Sequence, residues 1–452
     1  MDASDLAFLP AVEQMALLEK RAVSSRELLD CYLGRVATLN PPLNAVVTLD
    51  AERARRRAAE ADDARARGES WGPLHGLPMT VKDVFETEGL RTTAGSPDLA
   101  GYVPDQDAIV VRRLRHAGAV IFGKTNTPAM AADGQTYNEV FGTTNNPWDV
   151  SRTPGGSSGG CAAAVAAGLT SFSIGSDIAG SVRIPSAFCG LFGHKPTWGL
   201  VPQRGHIPGP PGSMIDRDIN TIGPLARDVR DLEVALSVIA GPATQEALAW
   251  RAPLPPAPDK PLRDYRVALW PDDPFCPVDA AVIERLRAAA QALRDEGAQV
   301  DESARPPLRM EESHELFLKL LRPDPARTHQ EWLDLDDKRQ HLREAWAAFF
   351  QRFDILLCPP CSVPPFPHQQ GPREERQFIV NGRERPYADF IVWPGLVGVC
   401  YLPSTVAPAG LTPEGLPVGV QVVGPHLSDA RTLRFAGRLG ELMGGFRRPP
   451  GY

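Results

Sequence analysis

Three short stretches hold residues whose types and spacing could do chemistry. The densest is Thr153-Pro-Gly-Gly-Ser157-Ser158-Gly-Gly160, with an alanine-rich block at 162–167 behind it. It lacks the Gly-Lys-Ser/Thr ending of a phosphate loop and the G-x-G-x-x-G spacing of a dinucleotide fingerprint. A flexible Gly/Ser linker would not run straight into a helix-forming alanine block. What remains is a loop at a helix N-terminus that holds a serine hydroxyl in a constrained pose, since small residues beside Gly-Gly permit close backbone approach. The second stretch is Gly175-Ser176-Asp177-Ile178-Ala179-Gly180-Ser181-Val182-Arg183-Ile184-Pro185. Its successive backbone N–H groups ahead of Ser181, with Gly180 small enough to admit a substrate, fit an oxyanion hole. Asp177 and Arg183 flank this turn and can pair to hold it. The third is a single lysine, Lys82, at the end of the apolar run 77–81. Alone, such a lysine is ordinarily a strand end reaching solvent; the two serine turns in the same chain weigh against that reading.

Hydrophobic periodicity describes the elements that must position these groups. Ser24-Ser25-Arg26-Glu27 caps an amphipathic helix that runs through Val36, and a second helix covers 51–67. Residues 77–81 predict a buried strand leading into Lys82 and Asp83. Ile109, Val110, Leu114 and Ala117 share one face of a helix that Gly118 ends before the strand run 119–122. Helices alternating with short apolar strands predict an α/β sheet with covered faces. Further on, 241–261 reads as a Pro- and Ala-rich linker, 279–297 as a helix, and 298–351 as a polar, charge-mixed region. Residues 353–357 predict a strand, 359–386 a loop, 415–424 a turn into a buried strand, and 428–442 a helix with Ser428 as its cap. No internal repeat is present, which excludes solenoids and propellers.

At 452 residues the chain allows one large α/β unit or about two to four domains. Hydrophobic residues at 43% and charged residues at 23% exclude disorder, collagen and coiled coil as global descriptions. The 45 prolines, with 40 glycines, imply many turns and ordered connections. A net charge of −7 offers no positive field to collect phosphates, so nucleic acid is not an expected partner. The arginine-rich run 52–67 alternates with Glu52, Glu60, Asp62 and Asp63 and reads as a solvated helix face. No apolar run reaches the roughly 18 residues of a membrane span, and the first ten residues carry Asp2 and Asp5 with no basic segment. A cytoplasmic protein without a membrane partner is therefore expected. Seven cysteines, an odd number, point to reduced thiols. Cys358-Pro-Pro-Cys361 has CxxC spacing but no second pair near it, so buried or loop thiols are expected there rather than zinc.

The motifs, taken in order, resemble the amidase signature hydrolases over almost the whole chain. The resemblance rests on Leu43-Asn-Ala-Val46, Pro73-Leu-His-Gly-Leu-Pro-Met-Thr-Val-Lys82-Asp83, Gly123-Lys-Thr-Asn126 and Asn146-Pro-Trp148, then on Gly155 to Gly160, Asp177 to Pro185 and Gly415-Leu-Pro-Val-Gly-Val-Gln421. It implies one α/β/α domain, residues 1–452, around a mixed, twisted central sheet covered by helices. Within it fall a helical opening (about 1–70), a catalytic core (about 71–240), a variable substrate-covering region (about 241–395) and closing core elements (about 396–452). The family's Ser–cis-Ser–Lys triad maps onto Ser181, Ser157 and Lys82, and the serine separation, 181 − 157 = 24, is the family's. In that scheme Ser157, in a cis peptide with Gly156, relays a proton between Ser181 and Lys82. A lysine is a base only when neutral, so burial must bring Lys82 from about 10.4 to about 7–8, against roughly 3–5 kcal/mol. The resemblance assigns the oxyanion to the amides of Ile178, Ala179, Gly180 and Ser181, and requires no metal or cofactor. Where Ala179 stands the family usually has glycine. His194, in Phe192-Gly-His-Lys-Pro196, reads as structural.

The expected activity is hydrolysis of a small-molecule carboxylic amide through a Ser181 acyl-enzyme, with ester and carbamate cleavage open to the same intermediate. Ala131, Ala132, Asp133 and Gly134, placed before the serine loop, are expected to line the acyl pocket, and 202–211 and 359–386 its outer wall. Phe366, Phe378, Tyr387, Phe390 and Trp393 would favour an apolar or aryl substrate. Within the family the alternative is the glutaminase subunit of a tRNA-dependent amidotransferase, which works with a partner protein. From another class, the alternative is a catalytically inactive scaffold. The chain is expected to be a monomer or homodimer.

Overall fold

The computed structural model describes residues 3–243, 245–249, 251–322 and 324–452. The strands among these residues are β1 Val46–Leu49, β2 Pro78–Lys82, β3 Val120–Thr125, β4 Tyr137–Asn138, β5 Gly142–Thr143, β6 Ser173–Asp177, β7 Phe192–Lys195 and β8 Thr221–Ala226, then β9 Arg266–Leu269, β10 Gln299–Asp301, β11 Ile355–Cys358, β12 Gln377–Val380, β13 Arg383–Pro386, β14 Ser404–Leu411 and β15 Pro417–Val423. The helices are α1 Ala3–Phe8, α2 Ala11–Glu19, α3 Ser25–Leu39, α4 Ala51–Ala66, α5 Ile109–His116, α6 Gly159–Ala166 and α7 Arg183–Cys189, then α8 Val229–Ile239, α9 Ala280–Asp295, α10 Met310–Leu321, α11 His329–Arg352, α12 Val392–Gly398 and α13 Asp429–Leu442. Eleven strands form one mixed sheet in the order β1-β3-β2-β6-β8-β7-β14-β15-β11-β9-β10. Helices flank it, as the alternating pattern predicts.

The centre of the sheet positions Lys82 and the turn that begins at Asp177. β2 runs parallel to both β3 and β6, with Thr80 opposite Ser173 and Val81 opposite Ile174. Parallel central strands are covered on both faces, so they read as continuous apolar runs rather than alternating ones, and every residue of β2 and β6 is buried. Lys82 ends β2 and Asp177 ends β6, so both project from the carboxyl edge, where open α/β sheets build their sites. The glycine- and alanine-rich α6 is buried along its whole length.

Several local expectations hold with their mechanisms. Ser24 and Glu27 make a reciprocal capping box on α3, and Gly118, at φ +95°, ends the α5 segment. Others change. The polar region 298–351 folds mainly into α10 and α11. The latter starts at a Thr328/Glu331 capping box and buries only Arg339, Trp346, Phe349 and Phe350, so its charged residues are the solvated side of a long helix. The 359–386 loop contains the β12–β13 hairpin, turned by Asn381 and Gly382 at φ +51° and +77°, the two positive φ values that an Asn-Gly hairpin turn supplies. Ser428 stands at the N-cap of α13, but its side chain accepts no capping hydrogen bond. Of the 241–261 stretch, positions 244 and 250 lie outside the described residues, as do Met1 and Asp2. Among the described residues no helix is long and apolar enough to cross a membrane.

Candidate active site

Lys82 is fully buried, and its Nζ lies 2.6 Å from Ser157 Oγ and 3.1 Å from Ser176 Oγ. Burial lowers its pKa from 10.5 to about 7, although Cys161 and Asp177 pull it back up. A neutral amine accepts the Ser157 proton; a charged one can only donate to the serine oxygens. The Gly156–Ser157 peptide is cis, and Ser157 is 1% exposed. Gly156 is obligatory on packing grounds. A Cβ there would stand 2.8 Å from Asp133 O, Gln135 N and Gln135 O, all backbone atoms that cannot swing aside.

Ser158 N donates to Ser181 O at 3.2 Å, which ties the two serine turns together. At 8% exposure Ser181 is the most accessible of the three, and among the described residues its hydroxyl has no protein hydrogen-bond partner. The turn that carries it is organised by Asp177. One carboxylate oxygen accepts from Gly180 N (2.8 Å) and Arg183 Nη2 (2.8 Å), the other from Val182 N (3.0 Å), Arg183 N (3.2 Å) and Arg183 Nε (3.0 Å). Both side chains are fully buried. Burial alone would raise the Asp177 carboxyl, but the Arg183 charge and these donors hold it well below the usual range. Arg183 Nη1 continues to Pro394 O (2.9 Å) and Gln421 Oε1 (2.7 Å), fastening the turn to α12 and β15.

This arrangement corrects one expected donor. Gly180 N–H is already given to Asp177, so it cannot also face an oxyanion. The amides of Ile178, Ala179 and Ser181 have no acceptor among the described residues. Gly180 serves by conformation instead. Its φ is +104°, and a Cβ would collide with Ile184 Cδ1 at 2.6 Å and Pro394 Cγ at 2.9 Å. Ala179 does not have a positive φ, so its methyl imposes no strain of its own. Ala179→Gly should therefore widen the acyl groups accepted while small-substrate turnover stays nearly constant. kcat/KM for a short and a bulky acyl amide checks this; a uniform loss of about 10²–10³ would mean that the methyl sets the donors themselves.

Asp177→Asn should destabilise the fold by about 3–5 kcal/mol, because it leaves the Arg183 charge buried without its counter-ion. Denaturant titration at neutral pH measures it. Since the carboxyl titrates below its unfolded value of 3.8, the pair's contribution is complete above that pH and falls away only in stronger acid.

The remaining expected residues divide. Met130 and Ala131 have φ of +53° and +54°, and Ala132 is exposed. The Asp133 carboxylate is taken by Arg376 (2.7 Å) and Tyr387 (2.6 Å). Gly134 faces the Phe390 ring. The aromatics of the substrate-covering region pack on one another: Phe366, Phe378, Tyr387 and Phe390 share a cluster with Phe188 and Ile184. Trp393 is buried in the main core and bonds Cys276 O at 3.1 Å. The first four rings pack the 359–391 excursion onto α7 and Trp393 fills the main core, so their aromatic character is accounted for by packing and is no argument for an aryl substrate. His194 is buried between Thr405 (2.9 Å) and Asp429 (3.1 Å), a structural placement. Cys358 and Cys361 are buried, and burial pushes both thiols up to about 12.

Two residues were not singled out from the sequence. Ser176, inside the second motif, gives Lys82 a second oxygen. His206, 6% exposed, packs its ring 5.4 Å from that of Phe85, just beyond Lys82. Among the described residues neither of its ring nitrogens has a protein hydrogen-bond partner, and burial, with the charges of Lys82 and Arg217, lowers its pKa to about 3.

Residues 27–322 and 322–433 match the family model described as Amidase. An acylamidase from Rhodococcus erythropolis is 33% identical over 470 residues, covering 96% of both chains. A glutamyl-tRNA(Gln) amidotransferase component from Heliobacterium modesticaldum is 33% identical over 473 residues, covering 93% of this chain and 94% of its own. A crystal structure of a bacterial aryl acylamidase of the amidase signature group superposes with a TM-score of 0.85 over 98% of this chain and 99% of that one; at 24% identity this likeness concerns the fold.

Proposed function

The chain belongs to the amidase signature family, and from that premise we propose that it hydrolyses the C–N bond of an uncharged small-molecule carboxylic amide through a Ser181 acyl-enzyme. The observation that carries this reading is the 2.6 Å contact of a buried, pKa-depressed Lys82 with Ser157, beside a Ser181 hydroxyl left free for substrate. Ser181 Oγ attacks the carbonyl carbon as its proton passes to Ser157 and the Ser157 proton to neutral Lys82. The negative oxygen meets the amides of Ile178, Ala179 and Ser181. Collapse breaks the C–N bond; Ser157 protonates the leaving amine and recovers a proton from Lys82. Water then attacks the acyl carbon by the same relay, releasing the acid and restoring Ser181. Esters and carbamates enter through the same acyl-enzyme.

The preference for an uncharged substrate follows from charge already spent within the protein. Around the serine turns Asp177 is paired with Arg183, and Asp133 with Arg376. A zwitterionic amino-acid amide would find neither group available, and burying an unpaired charge is costly. The relative from Heliobacterium nonetheless keeps a second reading in view, a glutaminase that works with partner proteins. Turnover of neutral aryl and alkyl amides, a carbamate and glutamine by the purified chain separates them. Hydrolysis of neutral amides with glutamine untouched supports the first; glutamine turnover, or activity only after an amidotransferase partner is added, supports the second.

A further inference from the structure

The 359–391 excursion leaves the sheet after β11, turns through the β12–β13 hairpin and returns at α12. It grips the loop in front of the serine motif mainly at the Asp133 carboxylate, with Arg373 also donating to Ala132 O and standing 3.8 Å from Asp133 Oδ2. Asp133, its side chain 9% exposed, receives Arg376 Nη1 on Oδ2 at 2.7 Å and Tyr387 OH on Oδ1 at 2.6 Å. Tyr137 OH also reaches Oδ2 at 3.4 Å. Arg376 is itself fixed, its Nε donating to Gly371 O at 2.8 Å. Alongside, Gln135 and Gln369 exchange hydrogen bonds of 2.7 and 2.9 Å between side chain and backbone.

The gripped loop is both strained and in touch with the chemistry. Met130 and Ala131 are consecutive non-glycine residues in the left-handed region. Such residues cost on the order of 1–3 kcal/mol each and persist only where the surroundings impose them. A few residues on, the same backbone walls the serine loop. Asp133 O, Gln135 N and Gln135 O are the atoms that Gly156 cannot approach more closely, and Thr136 Oγ1 donates to Gly155 O at 2.9 Å while accepting from Gly159 N at 3.1 Å. If the loop relaxed, residues 155–159 would lose the surface against which Ser157 is set.

We propose that Asp133, Arg376 and Tyr387 act as a positioning clamp, by which the substrate-covering excursion fixes Ser157 against Lys82. They touch no reacting atom. Their effect is on the relay geometry, where a shift of about 1 Å can cost roughly 10²-fold in rate. The inference rests on the reading of Ser157 as the proton relay to Ser181.

The test uses the full chain and a small alkyl fluorophosphonate. This reagent forms an O–P bond at Ser181 and expels fluoride as the serine proton passes through Ser157 to Lys82. Saturation kinetics give kinact and KI separately. Arg376→Gln should lower kinact by about 10–100-fold with KI within about twofold, Arg376→Lys should recover part of the loss, and Tyr387→Phe should lose a few-fold. Ile379→Thr, at an exposed position of the same hairpin, should match the wild type. Should Arg376→Gln fail to fold, the near-isosteric Tyr387→Phe decides alone. A folded variant with wild-type kinact, or one whose loss lies in KI alone, overturns the clamp. A wild type that turns over amides but labels elsewhere than Ser181, or does neither, overturns the relay reading and the clamp with it.

Discussion

Ser181→Ala is expected to abolish turnover of every substrate while leaving the fold intact. Among the described residues the hydroxyl makes no protein hydrogen bond that folding would miss, and an alanine fits the space of the serine it replaces. Its turn is held by other groups: Asp177 grips the amides at 180, 182 and 183, and Ser158 N binds the carbonyl of residue 181 rather than its side chain. Melting temperature and circular dichroism should therefore match the wild type. What disappears is the hydroxyl proposed to form the acyl bond, and residual rate from the oxyanion donors alone would be a small remainder. A fluorophosphonate should label Ser181 in the wild type and nothing in the variant. Labelling at another serine, with Ser181 unmodified, would move the nucleophile and with it the whole scheme.

The three stretches to which this chemistry is assigned are legible in the sequence because each is local. Lys82 reads as the end of an apolar strand, and the strand is apolar because it lies inside the sheet between β3 and β6 with every residue buried. Ser157 and Ser181 sit in glycine-rich turns whose small residues the packing demands, as the collisions at Gly156 and Gly180 make plain. What sequence could not give is how a group is already employed. Gly180 N–H counts as an oxyanion donor until the Asp177 carboxylate, three residues earlier, is seen to take it. Asp133 reads as pocket lining until Arg376, 243 residues away, closes on it. The aromatics of 359–391 read as substrate contacts because nothing in their spacing reveals that they pack the excursion onto Ile184 and Phe188 of α7. The Asn381-Gly382 turn was the opposite case. Its Asn-Gly signal stands in the sequence, inside the stretch read as loop.

Lys82→Ala is the second large expected effect, a fall of about 10²–10⁴-fold in kcat/KM, and its test turns on the charge of a buried amine. With an ordinary pKa of 10.5, roughly one lysine in 3,000 would be neutral at pH 7; with the value lowered to about 7 by burial, about half are. Lowering the pKa favours the neutral form, so wild-type activity should rise with pH through about 7 and then level off. The profile alone does not assign the group, since Lys195 is also lowered to about 7 by burial. Lys195, however, donates to Pro196 O at 2.9 Å and bonds neither serine, whereas Lys82 Nζ meets Ser157 and Ser176 directly. The paired variants resolve the matter. Lys82→Arg, which keeps a cation that cannot deprotonate, should be as inactive as Lys82→Ala. If Lys82 only filled space or held the serine loop by charge, Lys82→Arg would retain activity and the rise near pH 7 would survive in it, and a structural lysine would then replace the base.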